Sequence, residues 1–285
     1  MNNENIALVV DSCTDIPADF AQEHNIYTVP LLVNYAHETY LDRVTIQPQE
    51  VYDRFSQEIP STSTPTPASV ASVLQQVVQD GHSKAVIVTI SSGLSATYDL
   101  MRSVAAGTPG LDAVVVDTKN IGLGAGLTGM AAARFIEQGI PFCQLEEKLN
   151  QVVRDTRVFF CVDTLEYLHK GGRIGHVTYK MGSLLDVRPV ISCNEDGVYY
   201  TVSKAKGRRQ SLKKAVAEAA KFAAGFDSYK IGVVNGDAEA EASEVMATLK
   251  AKAPNFTESY TGQISPVLVV HTGPGLIGVG VQGIR

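Results

Sequence analysis

Residues 85–107 read AVIVTISSGLSATYDLMRSVAAG. The run Ala85–Ile90 is apolar and rich in β-branched residues, which predicts a buried strand. The segment Ser95–Ala106 predicts an amphipathic helix, and Gly107 supplies the signal that ends it. A buried strand followed directly by a helix is the repeating unit of a parallel sheet that helices cover. The segment therefore predicts one such unit, and similar units recur on both sides of it.

The first half of the chain continues this alternation. Strands are predicted at Ile6–Val10, Tyr27–Leu32 and Ala113–Val116, and helices at Pro17–His24, Ala68–Asp80, Gly126–Gln138 and Phe142–Asp155. Together these elements predict a mostly parallel N-terminal sheet with helices on both faces.

The pattern changes after residue 157. The turn Asn194–Gly197 predicts a β hairpin, because its Asp-Gly pair tolerates positive φ. Further strands are predicted at Val158–Val162, Lys230–Val234, Phe256–Tyr260 and Val267–Val270, and further helices at Ser211–Ala224 and Glu239–Ala253. The chain of 285 residues is long enough for about two domains. We therefore expect an α/β fold with an N-terminal domain of residues 1–157 and a mixed α/β C-terminal domain of residues 158–285.

Composition excludes several classes of protein. With 45% hydrophobic and 19% charged residues the chain can bury real cores, so it is not predominantly disordered. Its formal charge of −6 argues against a dedicated nucleic-acid binder, which needs a basic face. No apolar run approaches the ~18 residues of a transmembrane helix, and the first residues do not have the pattern of a signal peptide. We therefore expect a cytoplasmic protein. We also expect a monomer, but the sequence leaves the oligomeric state open.

Metal and dinucleotide sites are not predicted. The four cysteines are far apart and form no C-x-x-C pair, so neither a zinc site nor a disulfide framework is indicated. Two G-x-G-x-x-G matches begin at Gly124 and Gly273. The first begins several residues after its strand, and too few residues follow the second to build a crossover helix and a returning strand. Close helix packing is the favoured interpretation of the first match, and a backbone turn beside a ligand is that of the second.

Two hydroxyl-rich loops are candidates for ligand binding. SSGLSATY (Ser91–Tyr98) follows a probable parallel strand, and ligands of open α/β sheets collect at that end. Ser95 at the helix start could contribute to an anion site or could be a plain N-cap. STSTPTP (Ser61–Pro67) is expected to be extended and stiff, because each proline disfavours helix in the residue before it. Its hydroxyls could donate to a carboxylate, or they could only cap the next helix.

Three further features are ambiguous when taken alone. His271 ends the apolar run Val267–Val270, where a histidine is more often structural than functional. Lys170–Arg173 (KGGR) could be an anion nest or an ordinary surface turn. Lys204–Arg209 (KAKGRR) is interpreted as a second basic loop on a solvated face.

Taken in order, these motifs resemble those of the DegV family of fatty-acid-binding proteins. The shared motifs are VVDSCTD at Val9–Asp15, TSTP at Thr62–Pro65, SSGLSATY at Ser91–Tyr98, VVVDTKNIGLGAG at Val114–Gly126, KGGRIG at Lys170–Gly175, the stretch Arg188–Gly197 and HTGPG at His271–Gly275. They span essentially the whole chain, and their combination is specific although no single motif is. The resemblance implies a two-domain α/β protein that holds one long-chain fatty acid in a tunnel between the domains.

The resemblance also implies roles for individual residues. The carboxylate of the fatty acid would be held by Thr62, Ser95 and His271, and the loop neighbours Ser63, Ser92 and Gly93 are assigned to the same site. No metal and no cofactor besides the bound fatty acid is implied.

In bacterial relatives that work with a fatty acid kinase, the bound acid is presented for conversion to an acyl-phosphate. Arg173 and Lys206 would then help to dock the kinase. Lys206 stands where the family usually has arginine, so it keeps the charge but lacks the planar fork of a guanidinium. Ala96 likewise replaces the more usual glycine after Ser95.

The main hypothesis is therefore a non-enzymatic fatty-acid carrier. The alternative is a serine hydrolase or acyl-transfer enzyme in which Ser95 is the nucleophile and His271 the base, although Thr97 replaces the last glycine of a G-x-S-x-G elbow. A third hypothesis is a regulatory or scaffolding module that holds a lipid incidentally. The sequence leaves open the chain length and saturation of the acid, and which kinase is the partner.

Overall fold

The structure, a computed structural model, describes residues 4–177 and 187–285. The strands are β1 Ile6–Asp11, β2 Tyr27–Val29, β3 Leu32–Asn34, β4 Thr39–Leu41, β5 Ser61–Ser63, β6 Lys84–Thr89, β7 Asp112–Asp117, β8 Thr156–Cys161, β9 Val187–Cys193, β10 Tyr199–Lys206, β11 Ser228–Gly236, β12 Phe256–Gln263 and β13 Leu276–Ile284. The helices are α1 Ala18–Glu23, α2 Pro48–Arg54, α3 Pro67–Gln79, α4 Thr97–Ala106, α5 Leu123–Glu137, α6 Phe142–Arg154, α7 Glu166–Lys170, α8 Arg208–Ala223, α9 Glu239–Lys252 and α10 Pro266–Thr272.

The first half forms a parallel sheet of four strands in the order β2-β1-β6-β7. Alternate residues of its central strands enter two different cores, as the period of a strand requires. Ala7 and Val9 pack with residues of α3 and α4, whereas Leu8 and Val10 pack with residues of α5 and α6. Helices therefore cover both faces, which confirms the predicted N-terminal architecture.

The second half forms a mixed sheet of six strands in the order β10-β9-β8-β13-β11-β12. β9 and β10 are antiparallel and are joined through the predicted turn Asn194–Gly197. The helices α8 and α9 cover one face, and α5 packs on the other face. Residue 156 begins the first strand of this sheet, one residue before the predicted boundary, and the division into domains stays a prediction.

Two strand predictions were wrong for identifiable reasons. Tyr27–Leu32 is not one strand, because Pro30 lacks the N–H that a paired strand needs. Beyond it, β3 joins β4 and β5 in a separate three-stranded antiparallel sheet. Val267–Val270 lies inside α10, where every residue is buried, so the run has no polar face that would show a helical period. Pro266 begins this helix and Gly273, at φ +67°, follows it.

The last strand, β13, was not predicted, although it lies in the middle of the second sheet. Its glycines weaken the sequence signal for a strand but allow close packing. A Cβ on Gly280 would lie 3.0 Å from Leu123 Cδ2, so α5 approaches this strand where glycine leaves room.

The basic segment Lys204–Arg209 is not a loop. Its first residues end β10 and Arg208 begins α8, with only Gly207 between them. Lys206 is exposed, as expected for a solvated face, but Arg208 is half-buried and paired with Glu241 at 2.8 Å.

Gly126 explains the first G-x-G-x-x-G match as a packing motif. It lies in α5, and a Cβ there would stand 2.3 Å from the backbone oxygen of Thr14. We expect Gly126→Ala to lower the free energy of unfolding by about 2 kcal/mol or more, because rigid backbone must move. Chemical denaturation measures the loss. The matched control is Gly262→Ala, where a Cβ would meet nothing within 4 Å. Equal stability of the two variants would contradict this interpretation.

Candidate functional site

A cavity of about 450 Å³, part of it open to solvent, lies where the two halves of the chain meet. Its polar lining comes from both halves and consists of Thr62, Ser63, Thr64, Ser95, Arg173 and His271. The rest of the lining is apolar apart from the thiol of Cys13 and the phenol of Tyr199. The structure thus brings together the predicted residues Thr62, Ser95 and His271, which lie far apart in sequence.

The STSTPTP segment presents Thr62 to this cavity. Thr62 pairs with Val33 in the small antiparallel sheet, so the loop begins as a strand rather than as free coil. Pro65 and Pro67 then prevent the strand from continuing. Thr62 Oγ1 and His271 Nε2 are joined by a hydrogen bond of 2.7 Å.

His271 occupies the last turn of α10 and is only 9% exposed. Its Nδ1 is buried and has no hydrogen-bond partner in the part of the chain that the structure describes. Gly171 packs against the ring, where a Cβ would lie 2.2 Å from Nδ1. Burial, helped by the positive charge of Arg173, lowers the pKa of His271 to about 4. The imidazole is therefore neutral at pH 7, so it can offer the cavity one donor or one acceptor but no charge.

Ser95 lies in the loop between β6 and α4, one residue before the N-cap position. Its Oγ is 2.8 Å from Thr97 Oγ1 and also accepts a hydrogen bond from Thr97 N at 3.3 Å. The helix start therefore holds the hydroxyl in place, while the residue lines the cavity.

The rest of the SSGLS loop anchors the two halves to each other. Ser91 Oγ donates to the backbone oxygen of Gly197 at 2.8 Å. A Cβ on Gly93 would lie 2.7 Å from the backbone oxygen of Asp196, so only glycine fits against this hairpin turn. Ser92 Oγ accepts a hydrogen bond from Lys119 Nζ at 3.0 Å. Neither Ser92 nor Gly93 lines the cavity, so the structure gives them a supporting position rather than a place in the lining.

Arg173 also lines the cavity, although a surface position was expected for it. The side chain is half-buried, and its Nε and Nη1 donate to the backbone oxygens of Leu94 and Gly171 at 3.3 and 2.8 Å. It thus braces the wall beside Ser95 and places a positive charge near the cavity. Lys206 is exposed and is not part of this lining.

A buried acidic cluster positions the helix that carries His271. Asp42 accepts from Ser12 Oγ at 2.5 Å and from the backbone N of Val267 at 3.0 Å. Asp15 accepts from the backbone N of Ser265 at 3.0 Å and pairs with Arg43 at 2.9 Å. These carboxyls therefore fix the start of α10. Nothing in the sequence around Asp42 indicated this role.

Two carboxyls of the acidic cluster change protonation in the pH range in which His271 also affects stability. Burial raises the pKa of Asp11 to about 7 and that of Asp42 to about 6. Such carboxyls bind protons more tightly in the folded chain, so they favour folding as the pH falls from about 7 towards 4. The lowered pKa of His271 has the opposite effect on stability, because it disfavours folding as the pH falls.

A pH-dependent loss of stability should therefore be traceable to His271. The ordinary pKa of 6.5 falls to about 4 on folding, so the stabilisation is complete above pH 6.5 and is lost as the pH falls to about 4. The loss is up to about 3 kcal/mol. We expect the advantage of the wild type over His271→Gln to shrink between pH 7 and pH 4.5, measured by chemical denaturation. The variant pair cancels the contribution of the carboxyls, and a constant difference would contradict the expectation.

A second cavity of about 330 Å³ adjoins the first. The two share Ile121, Tyr199 and Leu268 in their linings. The rest of the second lining is apolar apart from Thr272, whose hydroxyl already donates to the backbone oxygen of Leu268 at 2.8 Å. The neighbouring cavities therefore combine a polar end with an apolar interior.

Among the described residues, no hydrolytic triad is assembled around Ser95. Ser95 Oγ bonds to Thr97, and the imidazole nitrogen that makes a hydrogen bond is joined to Thr62 rather than to a serine. The other nitrogen, Nδ1, has no acidic partner among those residues to orient it. The observed hydrogen bonds therefore suit ligand binding better than activation of Ser95.

Within residues 4–177 and 187–285, no group of three or more His, Cys, Asp or Glu side chains is arranged to hold a metal ion. Across the same ranges, no helix combines the length and the hydropathy required to cross a membrane.

Comparison with known proteins agrees with the fold and the arrangement of motifs. The family model described as "Uncharacterised protein, DegV family" matches residues 5–283. A DegV domain-containing protein of Clostridium acetobutylicum is 40% identical over 276 residues, which cover 97% of this chain and 98% of the relative.

Two solved structures extend the comparison. A DegV family protein of Thermus thermophilus, described for its fatty acid binding, has a TM-score of 0.91 and 28% identity, with 98% of this chain and 99% of that chain covered. A stearic acid-binding protein of Eubacterium ventriosum has a TM-score of 0.89 and 28% identity, with 98% of both chains covered. With a family match over nearly its whole length and a relative at 40% identity, the chain belongs to the DegV family.

Proposed function

We propose that this protein is a carrier that binds one long-chain fatty acid and presents it to a fatty acid kinase for conversion to an acyl-phosphate. The observation that carries the proposal is the junction of the two cavities, one with convergent polar groups and the other almost entirely apolar. A fatty acid has the same two-part chemistry. The fatty acids bound by the Thermus and Eubacterium proteins support this choice of ligand.

The carboxylate would occupy the polar cavity. The hydroxyls of Thr62 and Ser95 can each donate a hydrogen bond to it when His271 Nε2–H donates to Thr62 Oγ1. The imidazole would itself donate to the carboxylate when its bond with Thr62 opens. Because the pKa of His271 is lowered to about 4, the imidazole would be neutral at pH 7. It would therefore contact the carboxylate through a hydrogen bond and not as the cation of a buried ion pair. The guanidinium of Arg173 adds the nearest positive charge in the lining.

The acyl chain would run past Ile121 and Leu268 into the second cavity. Burial of apolar chain against apolar lining supplies the main driving force for such binding. In this proposal the two cavities form one tunnel when the ligand is bound.

The kinase step assigns different roles to two basic residues. Lys206 is exposed and outside the lining, so it can contact a partner without touching the lipid. Arg173 lines the cavity and donates to the backbone of Leu94, in the loop that carries Ser95, so it can serve both steps. The proposal includes a monomeric, cytoplasmic carrier that performs no chemistry of its own.

Lys206→Ala separates docking from lipid binding. We expect it to leave the Kd for palmitate within about twofold of the wild type, because surface charges act mainly on association with partners. Acyl-phosphate formation with a competent kinase should fall several-fold. The difference from the wild type should be smaller at high salt, because salt screens the docking charge. Kinase-coupled turnover and lipid titration measure the two effects. Unchanged turnover would remove Lys206 from the docking surface.

Mass spectrometry of the bound lipid tests the proposed function itself. We expect the protein purified from a bacterial host to release near-stoichiometric long-chain fatty acid when it is denatured and extracted. Protein that carries no lipid and also fails to take up palmitate or oleate would contradict the proposal.

A further inference from the structure

Tyr199 is a polar group in an otherwise apolar part of the proposed tunnel. It begins β10, is only 5% exposed, and lines both the polar cavity and the apolar cavity. Its ring packs edge-on against Phe160, with 5.0 Å between the ring centroids, so the side chain is held in place. It therefore stands at the passage from the carboxylate end to the chain end.

The hydroxyl of Tyr199 makes no hydrogen bond with any part of the chain that the structure describes, residues 4–177 and 187–285. The backbone of the same residue is well paired, because its oxygen accepts from the N–H of His176 at 2.7 Å. Burial raises the pKa of the phenol well above its ordinary value, so the group keeps its proton and stays a donor. The hydroxyl is open to the cavity rather than enclosed by protein, and a ligand that fills the cavity would cover it. Because covered tyrosine hydroxyls usually have a partner, the ligand is the expected source of that partner.

Acyl chains differ in the hydrogen-bond partner that they can offer to the hydroxyl of Tyr199. A saturated chain would cover the hydroxyl without pairing it, which is unfavourable for a buried polar group. A double bond offers only a weak contact with its π electrons. An oxygen atom on the chain offers a full hydrogen bond.

We propose that Tyr199 is a specificity-determining residue that favours fatty acids carrying a hydroxyl or keto oxygen on the chain, at the point where the chain passes between the two cavities. This inference rests on the proposed function, because it requires the acyl chain to run from the first cavity into the second. It adds a chemical preference to a site whose carboxylate end is set by other residues.

The test compares wild type and Tyr199→Phe with stearic acid, oleic acid and a set of hydroxystearic acids that carry the hydroxyl at successive mid-chain carbons. Tyr199→Phe removes one oxygen and keeps the ring, so the core is preserved. Tyr200→Phe is the matched control, because adjacent residues of a strand point to opposite faces. Dissociation constants are measured by titration of lipid-free protein.

For each acid we compare the Kd of Tyr199→Phe with the Kd of the wild type. We expect this ratio to be about tenfold higher than for stearic acid when the hydroxyl of the ligand is at one or two adjacent carbons, as one buried hydrogen bond would give. Stearic acid should bind the variant at least as tightly as it binds the wild type.

Four results would contradict the proposal. Dissociation constants that Tyr199→Phe leaves unchanged for every acid would show that the hydroxyl has no chain partner, and a preference confined to oleic acid would assign it to a double bond instead. An equal loss for every acid in Tyr199→Phe would make the residue a carboxylate donor. Failure of every acid to bind either protein would contradict the proposed function as well, which the other outcomes do not.

Discussion

Ser95→Ala and Thr62→Val should each weaken fatty-acid binding by roughly 10- to 150-fold. Each substitution removes a hydroxyl that would donate to a charged carboxylate, and such a hydrogen bond contributes about 1.5–3 kcal/mol. Both replacements preserve size, and valine suits the strand position of Thr62. Titration of lipid-free protein with palmitate measures the effect.

Ser92→Ala is the matched control for this pair. Ser92 lies in the same loop as Ser95, but its hydroxyl accepts from Lys119 and does not line the cavity. We expect the Kd of Ser92→Ala to stay within about twofold of the wild type, since no bond to the ligand is lost. If Ser92→Ala bound as weakly as Ser95→Ala, the loop would be acting through its conformation and not through the Ser95 hydroxyl.

Asp42→Ala should cause the largest loss of stability among the substitutions considered. It leaves the hydroxyl of Ser12 and the backbone N–H of Val267 without their acceptor in a fully buried place. Each unpaired buried donor costs about 1–3 kcal/mol, so the variant should lose roughly 2–5 kcal/mol of unfolding free energy at pH 7. Chemical denaturation gives the value.

The isosteric variant Asp42→Asn keeps the shape of the side chain and one of its two acceptor oxygens. That oxygen can still accept from the backbone N–H of Val267, while the amide N–H would face Ser12 Oγ. Burial already raises the pKa of Asp42 to about 6, so loss of the negative charge should matter less than loss of the acceptor. We expect Asp42→Asn to lose less than half as much stability as Asp42→Ala. A loss below about 1 kcal/mol for Asp42→Ala would mean that Asp42 does not hold the start of α10.

The sequence predicted the first sheet well because its signals are local. Each strand there is a short apolar run, and each following helix has a polar face, as in Ala85–Ile90 and the helix after it. α10 was misassigned because it is buried on all sides, so its run of β-branched residues looks like a strand. β13 was missed because its glycines serve packing against Leu123, which only the assembled fold reveals.

The site shows the same division between local and long-range information. The loop motifs indicated Thr62 and Ser95, but the bond between Thr62 and His271 joins residues 209 positions apart. The sequence left the turn with Arg173 open between an anion nest and a surface turn, and the docking role implied by the resemblance suggested the surface. The position of Arg173 in the lining depends on how the turn folds against Leu94. The roles given to Asp42 and Tyr199 depend on their burial in the fold. Their neighbours in the sequence do not reveal that burial.

A crystal structure of the protein loaded with palmitate tests the central claim most directly, through the distances from the carboxylate oxygens to the site. We expect one oxygen to lie within hydrogen-bond distance of Thr62 Oγ1 and Ser95 Oγ, at about 2.5–3.0 Å, with the acyl chain in the apolar cavity. A carboxylate that lies elsewhere, with the acyl chain outside the apolar cavity, would contradict the account.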